Sequence, residues 1–301
     1  MTARLLNGTL LALSALLAAC SGGGSDSGSQ PASVSSASAA TPMYGQPLLF
    51  TVNGSHLANA IDLASAGCRD FTLGTTAPHV SSGSVAYYRC TVTAVGAQQA
   101  RVVRRSDNTV LATVGYTVPL PQVTLDVGNG AAAGTGPVGG SLVITLAPQQ
   151  APATVDNFLA YVRSGFYDGT VFHRNAPGFV LQGGGWAAEL NPTLPVPAAK
   201  PTAAPIALEV GRGLSNLRLS VAMARGAAPN SATSQFFINL ADNAALDTLG
   251  GGYAVFGDIS AGAAVVDAMA AAPCASYPAL LDAGECLPWP NLVVWTARQT
   301  R

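Results

Sequence analysis

The sequence predicts a mainly β protein in two folded parts, a small β-sandwich followed by a closed barrel of strands carrying two helical plugs. Three observations predict it. Gly (33) and Pro (20) are frequent among 301 residues while charged side chains make up only 10%, a balance that favours turns over long solvated helices. Period-two runs recur: Tyr88, Cys90 and Val92 alternate with Arg89, Thr91 and Thr93, and Val123-Thr124-Leu125-Asp126-Val127 alternates likewise. Helical periodicity is confined to two short stretches.

Residues 1–19 are read as an export signal. Arg4 supplies the positive start, and the apolar run Leu10 to Leu17 is too short to span a bilayer. Leu17-Ala18-Ala19-Cys20 resembles the lipobox of bacterial lipoproteins. That resemblance implies a lipid on Cys20, cleavage before it, and stable anchoring by several acyl chains. By resemblance to enterobacterial sorting rules, Ser21 in place of Asp after the cysteine implies the outer membrane facing the periplasm, if the cell has one. The alternative is an ordinary cleaved signal with an incidental cysteine. Residues 20–43, rich in Ser, Gly and Ala, are expected to be a flexible tether.

Residues 44–119 carry strand signals at Leu48 to Val52, Val85 to Val95, Arg101 to Arg105 and Val110 to Val118. Asn53-Gly54 reads as a turn. Several short strands and one cystine suggest a small immunoglobulin-like β-sandwich of unknown role. His56 and His79 stand alone there and read as surface residues, and Arg101, Arg104 and Arg105 as a solvated face. With 14 basic and 15 acidic residues the formal charge is −1, so nucleic acid is not an expected partner.

Of five cysteines, Cys20 is assigned to the lipid. Cys68, Cys90, Cys274 and Cys286 allow three pairings. Pairing within each half is the choice taken, each bridge contributing about 3 kcal/mol in an oxidising compartment. No Cys-x-x-Cys and no His-Glu-x-x-His occurs, so neither a metal nor another cofactor is expected.

The second part, residues 122–301, opens with strands at Val123 to Val127 and Leu142 to Leu146. A helix then starts at Pro152 with Val155, Phe158, Leu159 and Val162 on one face and stops at Gly165. A second helix is expected over Gly262 to Ala271, and Leu292 to Trp295 closes the chain as a strand.

Three stretches carry a resemblance. Phe172-His173-Arg174 precedes Pro177-Gly178-Phe179-Val180-Leu181-Gln182-Gly183-Gly184, Ala222-Met223-Ala224-Arg225 precedes Ser234-Gln235-Phe236-Phe237-Ile238-Asn239, and Leu246-Asp247 precedes Tyr253-Ala254-Val255-Phe256-Gly257. In order and spacing this half resembles the cyclophilin-type peptidyl-prolyl cis-trans isomerases, in their bacterial branch. The resemblance implies a closed antiparallel eight-stranded barrel with two capping helices. It also implies isomerisation of Xaa-Pro bonds in proline-containing, unfolded or exported polypeptides, without a cofactor or covalent intermediate.

The residue types suit that reaction. Prolyl isomerisation is slow because amide resonance sets a barrier of about 18–20 kcal/mol. A catalyst must bind the twisted amide more tightly than either planar form. Arg174 would supply a permanent charge and a rigid fork of donors; its alternative reading is a surface ion pair. By the resemblance, Phe179, Val180, Phe237 and Leu246 line a proline slot, Gln182 and Gln235 bond substrate carbonyls, Ala224 and Arg225 border the peptide groove, and Tyr253 stands where eukaryotic members carry histidine. Ala245 replaces a ring important for cyclosporin, and Val180 a methionine. His173 invites a nucleophilic triad, but no Gly-x-Ser-x-Gly accompanies it, and its expected role is structural. The competing readings are a proline-peptide binding or chaperone module with little turnover, and a docking function in residues 44–119 with the isomerase as passenger.

Overall fold

Two layered units make up the chain: burial alternates along strands such as Val85–Val92 and Gln122–Gly128, whereas Ser220–Met223 and Phe236–Asn239 are buried on both faces. The computed structural model describes residues 30–130, 133, 136–187, 198–276 and 281–301. Cys20 and the signal segment lie outside the described residues.

The first unit contains Ser33–Ala39 (β1), Pro47–Ser55 (β2), Ile61–Ser65 (β3), Cys68–Leu73 (β4), the short pair Thr75–Thr76 (β5) and His79–Val80 (β6), then Val85–Val92 (β7), Gly96–Arg104 (β8) and Val110–Val118 (β9). Two antiparallel sheets, β1-β2-β7-β4 and β3-β8-β9, form the sandwich. Leu48, Phe50, Val52, Tyr88, Cys90 and Val92 of the larger sheet are buried with Ala100, Val102, Val114 and Tyr116 of the smaller. Phe50 meets Tyr116 edge-on at 5.6 Å. A cystine joins Cys68 to Cys90, linking β4 to β7.

Two expectations are corrected here. The tether does not run through residue 43: Ser33–Ala39 pairs with β2, Ala37 opposite Val52 and Ala39 opposite Phe50. Small polar side chains hid this strand, whose stability comes from backbone pairing and from buried Ala32 and Tyr44 on its flanks. Asn53-Gly54 is no turn but part of β2, with Asn53 opposite Val85. A Cβ on Gly54 would fall 1.9 Å from the Ser33 carbonyl oxygen, so this glycine permits close strand approach.

The second unit comprises Gln122–Gly128 (β10), Gly139–Leu146 (β11), Pro152–Arg163 (α1), Thr170–Ala176 (β12), Val180–Ala187 (β13), Ala198–Ala199 (β14), Ser220–Met223 (β15), Phe236–Asn239 (β16), Val255–Ala261 (β17), Ala263–Ala270 (α2), Cys274–Ala275 (β18), Leu287–Pro288 (β19) and Leu292–Gln299 (β20). Eight strands run β12-β20-β10-β11-β17-β15-β16-β13, and β13 pairs back onto β12 to close the antiparallel barrel. Closure leaves no open edge among the eight.

Helix α1 plugs the barrel because Val155, Phe158 and Leu159 are fully buried on one face. Phe158 packs against Tyr167, Phe236 and Phe256 at 5.2, 5.6 and 5.0 Å. Its N-terminus lacks a local side-chain cap. Buried Glu209 accepts instead from the Thr154 N–H at 2.8 Å, placing negative charge where the helix dipole favours it. Sandwich and barrel meet where Gln299 donates to the Tyr44 carbonyl at 3.0 Å. Among the described residues no helix is long and apolar enough to cross a membrane.

Candidate active site

Strand alternation separates two apolar clusters on the barrel. Leu181, Val221, Met223, Phe236 and Ile238 join the main core. Their chain neighbours Val180, Ala222 and Phe237 form a second, smaller cluster with Ala176, Leu246 and Val255. Register aligns the polar part with it: Arg174 lies opposite Gln182, Gln182 opposite Phe237, Phe237 opposite Ala222, and Ala222 opposite Val255. Residues in register share a face. A row across five strands therefore begins with a guanidinium and continues into apolar side chains.

Arg174, Gln182 and Phe237 of this row line a cavity of about 250 Å³ together with Phe179, Val180, Ala224, Arg225, Leu246, Leu249 and Tyr253. Phe237 meets Tyr253 edge-on at 5.7 Å. Phe179 is held by its backbone, its carbonyl accepting from Leu240 N–H at 2.9 Å and Asn243 Nδ2 at 2.8 Å. Leu246 rides on the turn Ala244–Asp247. That turn is locked by the Asp247 carboxylate, which accepts from the Asn216 N–H at 2.9 Å and from Ser215 Oγ. Burial raises the Asp247 pKa, but these hydrogen bonds outweigh it and hold the group below the usual carboxylate range. Ala245 is exposed on the same turn and adds no ring to the cavity.

The polar wall is a directed chain. Arg174 Nη1 donates to Gln182 Oε1 at 3.0 Å, and Gln182 Nε2 donates to Gln235 Oε1 at 2.8 Å. Arg174 Nη2 donates to the Glu285 carboxylate. Arg174 is thus ion-paired and at the same time lines the cavity with Phe179 and Phe237. The Gln182 carbonyl oxygen is engaged by Arg174, so this side chain orients the fork.

Arg225 spends donors on the Gly252 carbonyl at 3.0 Å and the Gly250 carbonyl at 2.6 Å, and stacks 4.6 Å over the Tyr253 ring. It ties down the far wall of the niche. A second cavity of about 270 Å³, lined by Gln182, Ala224, Arg225, Gly226, Ser231, Thr233 and Gln235, adjoins the first. Gln182, Ala224 and Arg225 line both. All ten residues singled out from the sequence for catalysis or substrate binding line one of these two cavities.

The remaining candidates lie apart from this chemistry. His173 is buried, and burial first, then the Arg174 charge, pushes its pKa down to about 4; it packs 5.9 Å from Trp186, a structural position. His79 Nδ1 accepts from Arg89 Nη2 at 2.8 Å, and His56 is exposed. Arg104 pairs with Asp107 and Arg105 with Asp62. Cys274 joins Cys286, so both cystines pair within their own half. A larger, open groove of about 960 Å³ in the sandwich has Arg101 as its one charged lining residue. Among the described residues no His, Cys, Asp and Glu cluster of three or more could hold a metal.

Besides Leu249, which lines the niche, Glu285 is a site residue that sequence reasoning missed. It lies 111 residues from Arg174, in no motif, and its only signal is adjacency to Cys286.

Comparison with known proteins agrees with this geometry. The sequence model of the family described as "Cyclophilin type peptidyl-prolyl cis-trans isomerase/CLD" matches residues 134–281. A peptidyl-prolyl cis-trans isomerase of Streptomyces antibioticus is 50% identical over 135 residues, 43% of this chain and 77% of that protein. Peptidyl-prolyl cis-trans isomerase B of Escherichia coli is 46% identical over 133 residues, 42% of this chain and 77% of that protein. A peptidyl-prolyl cis-trans isomerase of Acinetobacter baylyi is 46% identical over 140 residues, 46% of this chain and 71% of that protein. A charged fork set beside an apolar niche on a closed eight-stranded barrel, together with these identities, places the chain in the cyclophilin-type peptidyl-prolyl cis-trans isomerase family.

Proposed function

We propose that the barrel isomerises Xaa-Pro bonds in exported, unfolded polypeptides by binding the twisted amide more tightly than the planar one. The single observation carrying this reading is the row in which Arg174 and Gln182 run directly into Phe237. A prolyl ring seated against Phe237, Phe179 and Leu246 puts its nitrogen beside the guanidinium. As the C–N bond twists, resonance is lost and the nitrogen gains a localised lone pair. A cationic donor then stabilises it more than in the planar amide. The guanidinium has five N–H donors, of which Gln182 and Glu285 occupy two among the described residues. Three remain for substrate. No bond breaks and no proton moves, so no cofactor is required. The neighbouring cavity would take the chain preceding the proline, with Gln235 Nε2 and the Ala224 segment bonding it.

A protease-coupled assay on a short Ala-Pro peptide tests this. Catalytic acceleration well above the uncatalysed rate is expected; binding without acceleration would leave only a proline-peptide module.

The same reading puts the protein on the outer membrane facing the periplasm, tethered by a lipid on Cys20. It is supported by Leu17-Ala18-Ala19-Cys20 and Ser21, and two cystines suit an oxidising compartment. Cys20→Ser should abolish lipid labelling and release the protein from membranes; unchanged membrane retention would contradict the anchor.

A further inference from the structure

The loop that carries Glu285 is built to deliver one carboxylate to Arg174. Cys286 and Asn175 exchange both backbone hydrogen bonds, at 2.8 and 2.9 Å, as an isolated antiparallel bridge onto β12. Glu285 and Arg174 flank that bridge diagonally, within reach of two long side chains. Cys286 is covalently joined to Cys274, and Cys274 pairs with Pro288 across β18 and β19. The carboxylate is used at both oxygens: Oε1 accepts from Arg174, and Oε2 from the Asp282 N–H at 3.3 Å. Glu285 is well sheltered, its side chain 14% exposed against 24% for Arg174. The guanidinium beside it holds its carboxyl below the usual range, so it is ionised at neutral pH.

An arginine in a groove open to solvent would sample many rotamers, and those facing away from the niche do no catalysis. Gln182 holds Nη1 alone. One contact leaves the fork free to swing about it, whereas a second, at Nη2, fixes the plane. Because Glu285 binds a different nitrogen from Gln182, it need not displace substrate.

We propose that Glu285 is a positioning residue of the isomerase site, fixing the plane of the Arg174 fork, and that the Cys274–Cys286 cystine serves catalysis by holding Glu285 over β12. This rests on the reading of Arg174 as the group that stabilises the twisted amide.

The experiment compares kcat and KM on an Ala-Pro peptide for the intact chain, Glu285→Ala, Glu285→Gln, Cys274→Ser/Cys286→Ser, and each combined with Arg174→Ala. Glu285→Ala should lower kcat about ten-fold with little change in KM, the effect of losing one orienting charge-assisted hydrogen bond. Glu285→Gln keeps an acceptor and should recover more than half of the rate. The double serine variant should resemble Glu285→Ala, and neither should have any further effect in the Arg174→Ala background. A Glu285→Ala enzyme as fast as the unaltered one, or faster, overturns the proposal, as does a loss carried by KM with kcat unchanged. If Arg174→Ala itself is fully active, the underlying reading of Arg174 fails instead.

Discussion

Phe237→Ala removes the ring at the centre of the site's apolar row. Phe237 is 3% exposed and belongs to the small cluster with Val180, Ala222 and Leu246, not to the main core. A substrate prolyl ring resting on it buries about three methylenes, each worth roughly 0.8 kcal/mol. Truncation should therefore cost about 2 kcal/mol of transition-state binding, or about a 30-fold drop in kcat/KM. Stability should fall as well, by about 3 kcal/mol. That is the low end for a buried phenylalanine, since one face already borders an open cavity. The edge-to-face contact with Tyr253 is lost in the same change. The protease-coupled assay measures the first effect and thermal melting the second. Phe237→Leu should restore most of both. A folded Phe237→Ala protein that retained full kcat/KM would refute the placement of the proline on this ring.

Three further outcomes are expected. Replacing Cys68 and Cys90 by serine should cost about 3 kcal/mol of sandwich stability in the chain-entropy model, seen in denaturant unfolding, and leave kcat/KM unchanged; an equal loss of activity would show that the sandwich shapes the site. The folded state keeps His173 neutral down to about pH 4 while an ordinary histidine protonates near 6.5. Stability is therefore fully present above the unfolded value and is lost as pH falls through the folded one, by roughly 3 kcal/mol in all; His173→Gln should flatten that part of the urea-midpoint profile, and an unchanged profile would contradict a buried neutral ring. Catalysis by a permanent charge needs no proton transfer, so the isomerisation step should vary less than about two-fold between about pH 6 and about pH 8; a bell-shaped profile there would indicate acid–base chemistry.

The niche could be read from the sequence because its parts are local. Phe172 to Gly184 folds as one hairpin, β12 to β13, so residues close in the chain are close in space, and Arg174 opposite Gln182 follows from that hairpin. Helix α1 was equally visible, since one turn-spaced apolar face has no other fate. What could not be read are contacts made by chain closure. Glu285 reaches Arg174 only because a bridge sets Cys286 beside Asn175, and no spacing in the sequence encodes that. Ser33–Ala39 failed for a different reason: its small side chains carry no apolar period, and its strand exists through the ladder to β2. The resemblance implies that Gln182 bonds substrate carbonyls through its amide N–H; that its oxygen is engaged by the fork follows only from the folded hairpin.

The most direct test is to measure kcat/KM of Arg174→Ala on a short Ala-Pro peptide beside the unaltered chain, with circular dichroism to verify the barrel. The account predicts near-complete loss of acceleration in a folded protein that still binds the peptide. A folded Arg174→Ala variant that isomerises at the original rate would contradict it.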